Sequence, residues 1–92
     1  MGYNVWLQDE AILEMDNAFE WYEDQREGLG DELIEEIESC YEYLRINPQR
    51  YSYINPLYRR IKTNRFPYIL VYEIEGNDVI IISIRHIKRK PL

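Results

Sequence analysis

The clearest structural pattern of the chain lies in residues 9–47, DEAILEMDNAFEWYEDQREGLGDELIEEIESCYEYLRIN. In its first half, apolar residues recur at spacings of three and four, which is the period of one helix face. Acidic residues occupy the positions between them, and Asp9 stands where a helix N-cap is expected. The pattern predicts an amphipathic helix over residues 9–26, with an apolar stripe of Ile12, Met15, Phe19 and Tyr22.

A glycine-containing break separates this helix from a second one. Gly28-Leu29-Gly30 interrupts the first stripe, and a second stripe with the same period consists of Leu29, Leu33, Ile37, Cys40 and Leu44. Asn47-Pro48 ends the second helix, because the residue before a proline avoids helical dihedral angles. Two amphipathic helices joined by so short a segment predict a helix hairpin.

The two ends of the chain have strand patterns. Residues 3–7 alternate between two faces, and after a connecting loop three further runs are rich in β-branched and aromatic residues, at 58–62, 65–75 and 79–87. A Gly76-Asn77 turn joins the last two runs into a hairpin. The order β-α-α-β-β-β predicts a two-layer α+β fold, in which the helix hairpin covers one face of a small, mainly antiparallel sheet. The first strand is then expected to pair with a strand from the second half.

Composition places the chain among globular domains and argues against several other classes of protein. The 92 residues are 46% apolar and 30% charged, which predicts one folded domain over residues 1–92. No apolar run approaches the ~20 residues of a membrane span, and no signal-peptide pattern is visible, so a cytoplasmic protein without membrane contact is expected. One cysteine and one histidine suffice for neither a disulfide nor a metal site. With no cofactor motif in the chain, we expect neither cofactor nor metal.

Charge is distributed unevenly along the chain, whose net charge is −6. Residues 1–47 contain fourteen acidic and two basic residues, a net charge of −12, whereas residues 48–92 contain three acidic and nine basic residues, a net charge of +6. The acidic total argues against a general nucleic-acid coat protein. The basic second half still predicts a local anionic partner, unless the two halves mainly attract each other.

Basic residues of the second half form the candidate site. One group surrounds a predicted turn (Arg59, Arg60, Lys62 and Arg65) and another ends the chain (Arg85, His86, Lys88, Arg89 and Lys90). Arginine suits phosphate and carboxylate recognition, and the aromatic rings among these residues are able to stack on unpaired bases (Tyr58, Tyr68 and Tyr72). The alternative is structural, with Arg59 or Arg60 paired to helix glutamates.

Other candidate catalytic residues favour a structural role. The helix glutamates are typical of a solvated helix face rather than of acid–base catalysis. Cys40 lies on the apolar stripe of the second helix, where a cysteine usually behaves as a small hydrophobic residue. His86 is the single histidine and lies at the end of a predicted strand. It is either a general acid or base near neutral pH or a structural residue.

A series of short motifs runs through nearly the whole chain. It comprises residues 18–23 (AFEWYE) with Gln25, 28–33 (GLGDEL), Asn47-Pro48, 58–60 (YRR), 65–68 (RFPY), Val71-Tyr72 and 84–91 (IRHIKRKP). With these motifs in this order, the sequence resembles the RelE/ParE superfamily of bacterial toxins from type II toxin–antitoxin systems, often labelled plasmid stabilisation proteins. The resemblance implies the same β-α-α-β-β-β fold and a cognate antitoxin as partner.

The resemblance implies two alternative targets. ParE-like members inhibit DNA gyrase, whereas RelE-like members cleave messenger RNA on the ribosome. RelE-like chains typically carry an arginine before the Leu-Val-Tyr of the middle strand, and Ile69 stands there instead, so a growth-inhibiting ParE-like toxin is favoured. A third alternative is a non-toxic relative that serves only as a protein-binding module.

Residue roles follow from the same resemblance. Target contact is expected at Arg59, Arg60, Arg65, Tyr68, Arg85, His86 and Arg89. If the protein is a ribonuclease, Arg60 and Arg65 are expected to stabilise phosphate charge and His86 to transfer a proton.

Overall fold

The computed structural model describes residues 2–88 and has the predicted order of elements. The elements are β1 (Asn4–Leu7), α1 (Asp9–Gln25), α2 (Leu29–Ile46), a 3-10 turn (Pro48–Arg50), β2 (Arg59–Lys62), β3 (Tyr68–Glu75) and β4 (Asp78–His86). The prediction of an α+β fold is therefore confirmed. One boundary differs by several residues, because residues 65–67 form a turn before β3 rather than its first part.

The four strands form one mixed sheet with the order β1-β4-β3-β2. β2, β3 and β4 are antiparallel neighbours, while β1 lies parallel to β4, with Val5 opposite Val79 and Leu7 opposite Ile81. The mainly antiparallel sheet and the pairing of the first strand with the second half are thus both confirmed. β1 covers only the first half of the β4 edge, so the edge beyond Ile81 lies next to α1.

One face of the sheet packs against both helices. Its core residues include Leu70 and Tyr72 of β3 and Ile81 and Ile84 of β4, which cluster with the buried side of the helix hairpin (Ala11, Ala18, Leu33, Ile37, Cys40 and Leu44). Fully burying an aliphatic side chain contributes about 1.5–3 kcal/mol, so this cluster supplies most of the driving force for folding. We call this side of the sheet the helix face.

Strand alternation places the remaining strand residues on the opposite side, which we call the outer face. Its residues are Asn4, Trp6, Arg60, Lys62, Ile69, Val71, Glu73, Glu75, Asp78, Ile80, Ile82, Ser83 and Arg85. A bulge at Ile82 of β4 keeps Ser83 on the same side as Ile82, because Val71 pairs with Ser83 and the next residue of β3, Tyr72, pairs with Ile81. None of these residues belongs to the core cluster.

The two helices cross closely at Gly30. A Cβ at this position would lie 2.7 Å from the Phe19 carbonyl oxygen and 2.8 Å from Glu23 Cγ. The Glu23 carboxylate accepts hydrogen bonds from the backbone N–H groups of Gly28 and Gly30, at 3.2 and 2.8 Å. These two amides lie at the start of α2, where helical N–H groups lack partners within the helix. Gly28 has a φ of 87°, which allows the tight turn between the helices.

Neither α1 nor α2 contains an apolar stretch long enough to cross a bilayer.

Candidate functional site

Arg59 is held by the segment that precedes its own strand. Its guanidinium donates to the backbone oxygens of Gln49 and Tyr51, at 2.8 and 2.7 Å, and to the Tyr53 hydroxyl at 3.0 Å. It also stacks on the Tyr53 ring, 4.0 Å from the centroid. These contacts use most of its hydrogen-bond donors, so Arg59 organises residues 49–58 rather than offering a free fork to a ligand.

Arg65 is bound to α2. Its Nε donates to Glu36 at 2.9 Å and its terminal nitrogen donates to Glu32 at 3.0 Å. The backbone N–H of Arg65 also donates to Glu36, at 2.8 Å, while Glu32 accepts a second bond from Arg26 at 3.3 Å. Helix glutamates therefore do pair with a basic residue of the second half, but the residue is Arg65 rather than Arg59 or Arg60.

The pairing of Arg65 with Glu32 and Glu36 makes the stability of the protein depend on pH. Burial raises the pKa of Glu36, but the hydrogen bonds from Arg65 and from two backbone amides outweigh it and hold that pKa below its usual 4.5. The hydrogen bonds from Arg65 and then Arg26 lower the pKa of Glu32 in the same way. A carboxyl group with a lowered pKa in the folded state stabilises the fold above its ordinary pKa, and the contribution disappears as the pH falls through the folded pKa.

We expect Glu36→Gln to lower the free energy of unfolding by about 1–2 kcal/mol at neutral pH, because it removes charge-assisted hydrogen bonds. The difference from the wild type should shrink as the pH falls through 4.5 and then through the lower pKa of Glu36 in the folded protein, since Glu36 is then protonated in both the folded and the unfolded state. Urea unfolding across this pH range measures it, with the exposed neighbour Glu35→Gln as matched control. A difference that stays constant at low pH would contradict the charge-based account.

Two tyrosines predicted as stacking surfaces belong to the core instead. Tyr72 is fully buried and its hydroxyl donates to the Pro48 carbonyl at 2.6 Å. Tyr68 is 5% exposed, and its ring packs edge-on against Tyr22 and His86, with centroids 6.1 and 5.3 Å apart. Both rings lie on the helix face with Leu70, so neither presents an open ring to a nucleic-acid base, and the expected target contact at Tyr68 does not fit its burial.

Arg60 and Arg85 lie on the outer face, on either side of β3. Arg60 is exposed and faces Val71 across the β2–β3 ladder, and Arg85 faces Ile69 across the β3–β4 ladder. Two strand spacings of ~4.8 Å therefore separate them across the sheet. The Arg85 Nε donates to the Ser83 hydroxyl at 2.9 Å. Within residues 2–88, neither guanidinium forms an ion pair with a carboxylate.

The three residues predicted for RNA cleavage are not brought together. His86 lies on the helix face, where its Nδ1 accepts a hydrogen bond from the Lys88 backbone N–H at 3.1 Å. Arg60 lies on the outer face, and Arg65 lies in the turn bound to α2. A general acid and its phosphate-binding partners must reach the same reacting group, and these three residues lie on different parts of the surface. Arg89, also predicted to contact the target, lies outside the described residues.

A groove lies between α1 and the end of β4, with a volume of about 340 Å³. The carboxylate of Glu14 accepts from the Ser83 hydroxyl at 2.7 Å and from the Ile84 N–H at 2.9 Å, where β1 no longer covers the β4 edge. Trp21, 46% exposed, lies along the rim. We call this the α1–β4 groove, lined by Glu14, Asn17, Ala18, Trp21, Tyr68, Ile84, Arg85 and His86.

No sequence pattern predicts the α1–β4 groove. Trp21 is a large apolar residue that falls outside the main apolar stripe of α1. That position was the only sequence feature that could have indicated an exposed apolar surface on this helix. Glu14 is one of many helix glutamates, and only the point at which β1 stops gives it a distinct role.

Cys40 is a structural thiol, as its position in the helix stripe predicts. It is 3% exposed and its sulfur donates to the Lys62 carbonyl oxygen at 3.8 Å. Burial, assisted by the charge of Glu36, raises the pKa of Cys40 to about 11. The reactive thiolate is therefore scarce at neutral pH.

Comparison with known proteins gives the family. The chain matches the model of the ParE toxin of the type II toxin–antitoxin system parDE over residues 5–91. It is also similar in fold to a solved structure described as the chromosomal ParDE toxin–antitoxin system from P. aeruginosa, with a TM-score of 0.82 and 13% identity, covering 94% of this chain and 97% of that one. No curated protein matches the sequence. With a family match over nearly its full length, the chain belongs to the ParE toxin family of type II toxin–antitoxin systems.

Proposed function

We propose that this toxin arrests bacterial growth by binding DNA gyrase and that a cognate antitoxin neutralises it. The observation that carries the proposal is the family match over residues 5–91. The separation of Arg60, Arg65 and His86 supports inhibition by binding rather than by RNA cleavage, because the groups needed for proton transfer and phosphate stabilisation do not converge.

The outer face is the surface that we assign to the target. Of the basic residues predicted for target contact within residues 2–88, Arg60 and Arg85 are those that lie on this face without a carboxylate partner. They flank the apolar residues Ile69 and Val71 of the central strand. Arginines beside apolar side chains are typical of protein interfaces, where a partner carboxylate pairs with the guanidinium as water is removed.

The α1–β4 groove is the site that we assign to the antitoxin. Ala18 and Ile84 form its apolar floor, next to the half-exposed indole of Trp21. A groove of this kind can bind an apolar side chain of an extended or helical segment. The surrounding helix surface carries most of the acidic residues of the chain. We therefore expect an antitoxin segment with an apolar anchor and flanking basic residues.

Induced expression in a bacterium, with and without the product of the neighbouring gene, tests the function. We expect growth arrest in the absence of the neighbour and full recovery in its presence. Global loss of messenger RNA at the onset of arrest would favour the RelE-like alternative. Normal growth with soluble, folded protein would contradict the toxin assignment and favour the protein-binding module.

A further inference from the structure

The outer face has opposite charges at its two ends. Along β3, Ile69 and Val71 are flanked by the basic side chains of the neighbouring strands, Arg60, Lys62 and Arg85. Two to six residues further on, the same face carries three carboxylates, Glu73, Glu75 and Asp78. At ~3.4 Å per residue, the centres of the basic and acidic ends are about 15 Å apart along the strands. The face therefore carries three basic groups at one end and three acidic groups at the other.

The carboxylates at the acidic end have no cationic partner among the residues that the structure describes. Glu73 and Glu75 are two residues apart on one side of β3. The pKa of Glu73 is raised by the hydrogen bond that its protonated carboxyl group donates to Glu75, then by burial and by charge repulsion from Glu75. Asp78 accepts from the Asn4 amide at 3.2 Å and the Trp6 indole at 3.0 Å, both uncharged donors. Among residues 2–88, no Lys or Arg forms an ion pair with any of the three.

The basic end is likewise without carboxylate partners in the part of the chain that the structure describes. Lys62 donates to the backbone oxygens of Thr63 and Asn64, at 2.9 and 3.4 Å, and Arg85 donates to the Ser83 hydroxyl. Arg60 is exposed beside them. Like charges gathered at each end repel one another, so both ends gain from an oppositely charged partner.

An apolar zone joins the two charged ends. Ile80 and Ile82 of β4 are half-buried on the outer face, next to Val71. Trp6 on β1 faces Ile80 and is 58% exposed. A large exposed indole beside branched aliphatic side chains is characteristic of an interaction surface.

We propose that the outer face binds the outer face of a second copy of this chain, in a two-fold symmetric dimer. A two-fold axis that lies in the interface and crosses the apolar zone perpendicular to the strands places the basic end of one copy on the acidic end of the other, twice. A symmetric interface of this kind must be self-complementary, and a surface with three basic groups opposite three acidic groups meets that requirement. A uniformly acidic or uniformly basic partner would satisfy only one end.

The size of the face sets the strength of the dimer. β1 and β2 have four residues each, β3 has eight and β4 has nine. At ~4.8 Å between strands and ~3.4 Å per residue, the footprint is roughly 400 Å² per copy. Stable interfaces bury about 800 Å² per partner, so the dimer is weak and forms only at high concentration. If the target-binding surface is the one proposed above, this dimer hides Arg60 and Arg85, and the monomer is the inhibitory form.

Sedimentation velocity between micromolar and millimolar concentration, combined with charge reversal, tests the dimer. Arg85→Glu and Glu73→Arg should each weaken self-association roughly tenfold or more, because two symmetric attractions become repulsions. Mixing the two variants should restore association as a one-to-one heterodimer, since their faces are then oppositely charged. Glu35→Arg, on the exposed side of α2, is the control that should leave the dimer unchanged, and thermal unfolding confirms that each variant is folded.

Two outcomes would overturn the proposal. One is a wild-type protein that stays monomeric at millimolar concentration. The other is a dimer that neither single charge reversal weakens or that mixing does not restore. Growth arrest is measured separately in induced cells, whereas self-association is measured on the purified protein. Failure of the dimer therefore leaves the proposed function standing, and failure of the toxin assignment leaves the dimer measurable.

Discussion

Replacing Arg60 and Arg85 together by glutamate is expected to abolish growth arrest while the fold is retained. Both side chains lie on the outer face of the sheet and neither belongs to the core cluster, so their reversal removes no core packing. Reversing two arginines in a desolvated interface costs binding several kcal/mol, which corresponds to a loss of affinity of more than about a hundredfold. Colony counts after induction measure the effect, at equal protein levels.

Arg45 and Arg50 provide a control with the same change in net charge. Both lie outside the outer face, and their joint replacement by glutamate should leave growth arrest unchanged. Arg60→Glu alone should also keep antitoxin binding, because β2 is separated from the α1–β4 groove by β3. Undiminished toxicity of the Arg60/Arg85 double variant would show that the target binds elsewhere.

Replacing Gly30 by valine should lower the free energy of unfolding more than Glu36→Gln does. The new Cβ would lie 2.7 Å from Phe19 Cδ1 and 2.7 Å from the Phe19 backbone oxygen. The ring is able to rotate away, but the carbonyl is part of α1, so the two helices must separate. We expect a loss of about 3 kcal/mol or more, a large part of the 5–15 kcal/mol that typically holds a domain together.

Urea denaturation monitored by circular dichroism measures this loss. Glu35→Val introduces the same β-branched side chain at an exposed position of the same helix and should cost less than about 1 kcal/mol. Equal urea midpoints of unfolding for the two variants would contradict the close approach of α1 and α2 at Gly30.

Helical periodicity and strand composition were sufficient to predict most of the fold. The stripes of α1 and α2, separated by Gly28 and Gly30, predict the hairpin, and the packing of both helices on one sheet face follows. The start of β3 was misplaced because Thr63 closes a local turn. Its hydroxyl bonds with the Phe66 and Tyr68 carbonyls, at 2.5 and 3.2 Å, and so keeps residues 65–67 out of the sheet.

The candidate site was predictable only in part. Tyr68 and Tyr72 lie on the same face of β3 as Leu70, whereas Ile69 and Val71 lie on the other face. Period-two alternation alone therefore places the two tyrosines in the core. The partners of the arginines do not follow from any local pattern. The pairing of Arg65 with Glu36 joins residues 29 positions apart, and the contact exists only once the turn docks on α2.

Inhibition of supercoiling by purified DNA gyrase is the most direct test of the proposed function. The account predicts that the purified chain blocks supercoiling of relaxed plasmid, that the antitoxin relieves the block, and that Arg60→Glu with Arg85→Glu removes it. Cleavage of messenger RNA on purified ribosomes, measured in parallel, should stay at background. Normal supercoiling at saturating protein, together with specific RNA cleavage, would contradict the account.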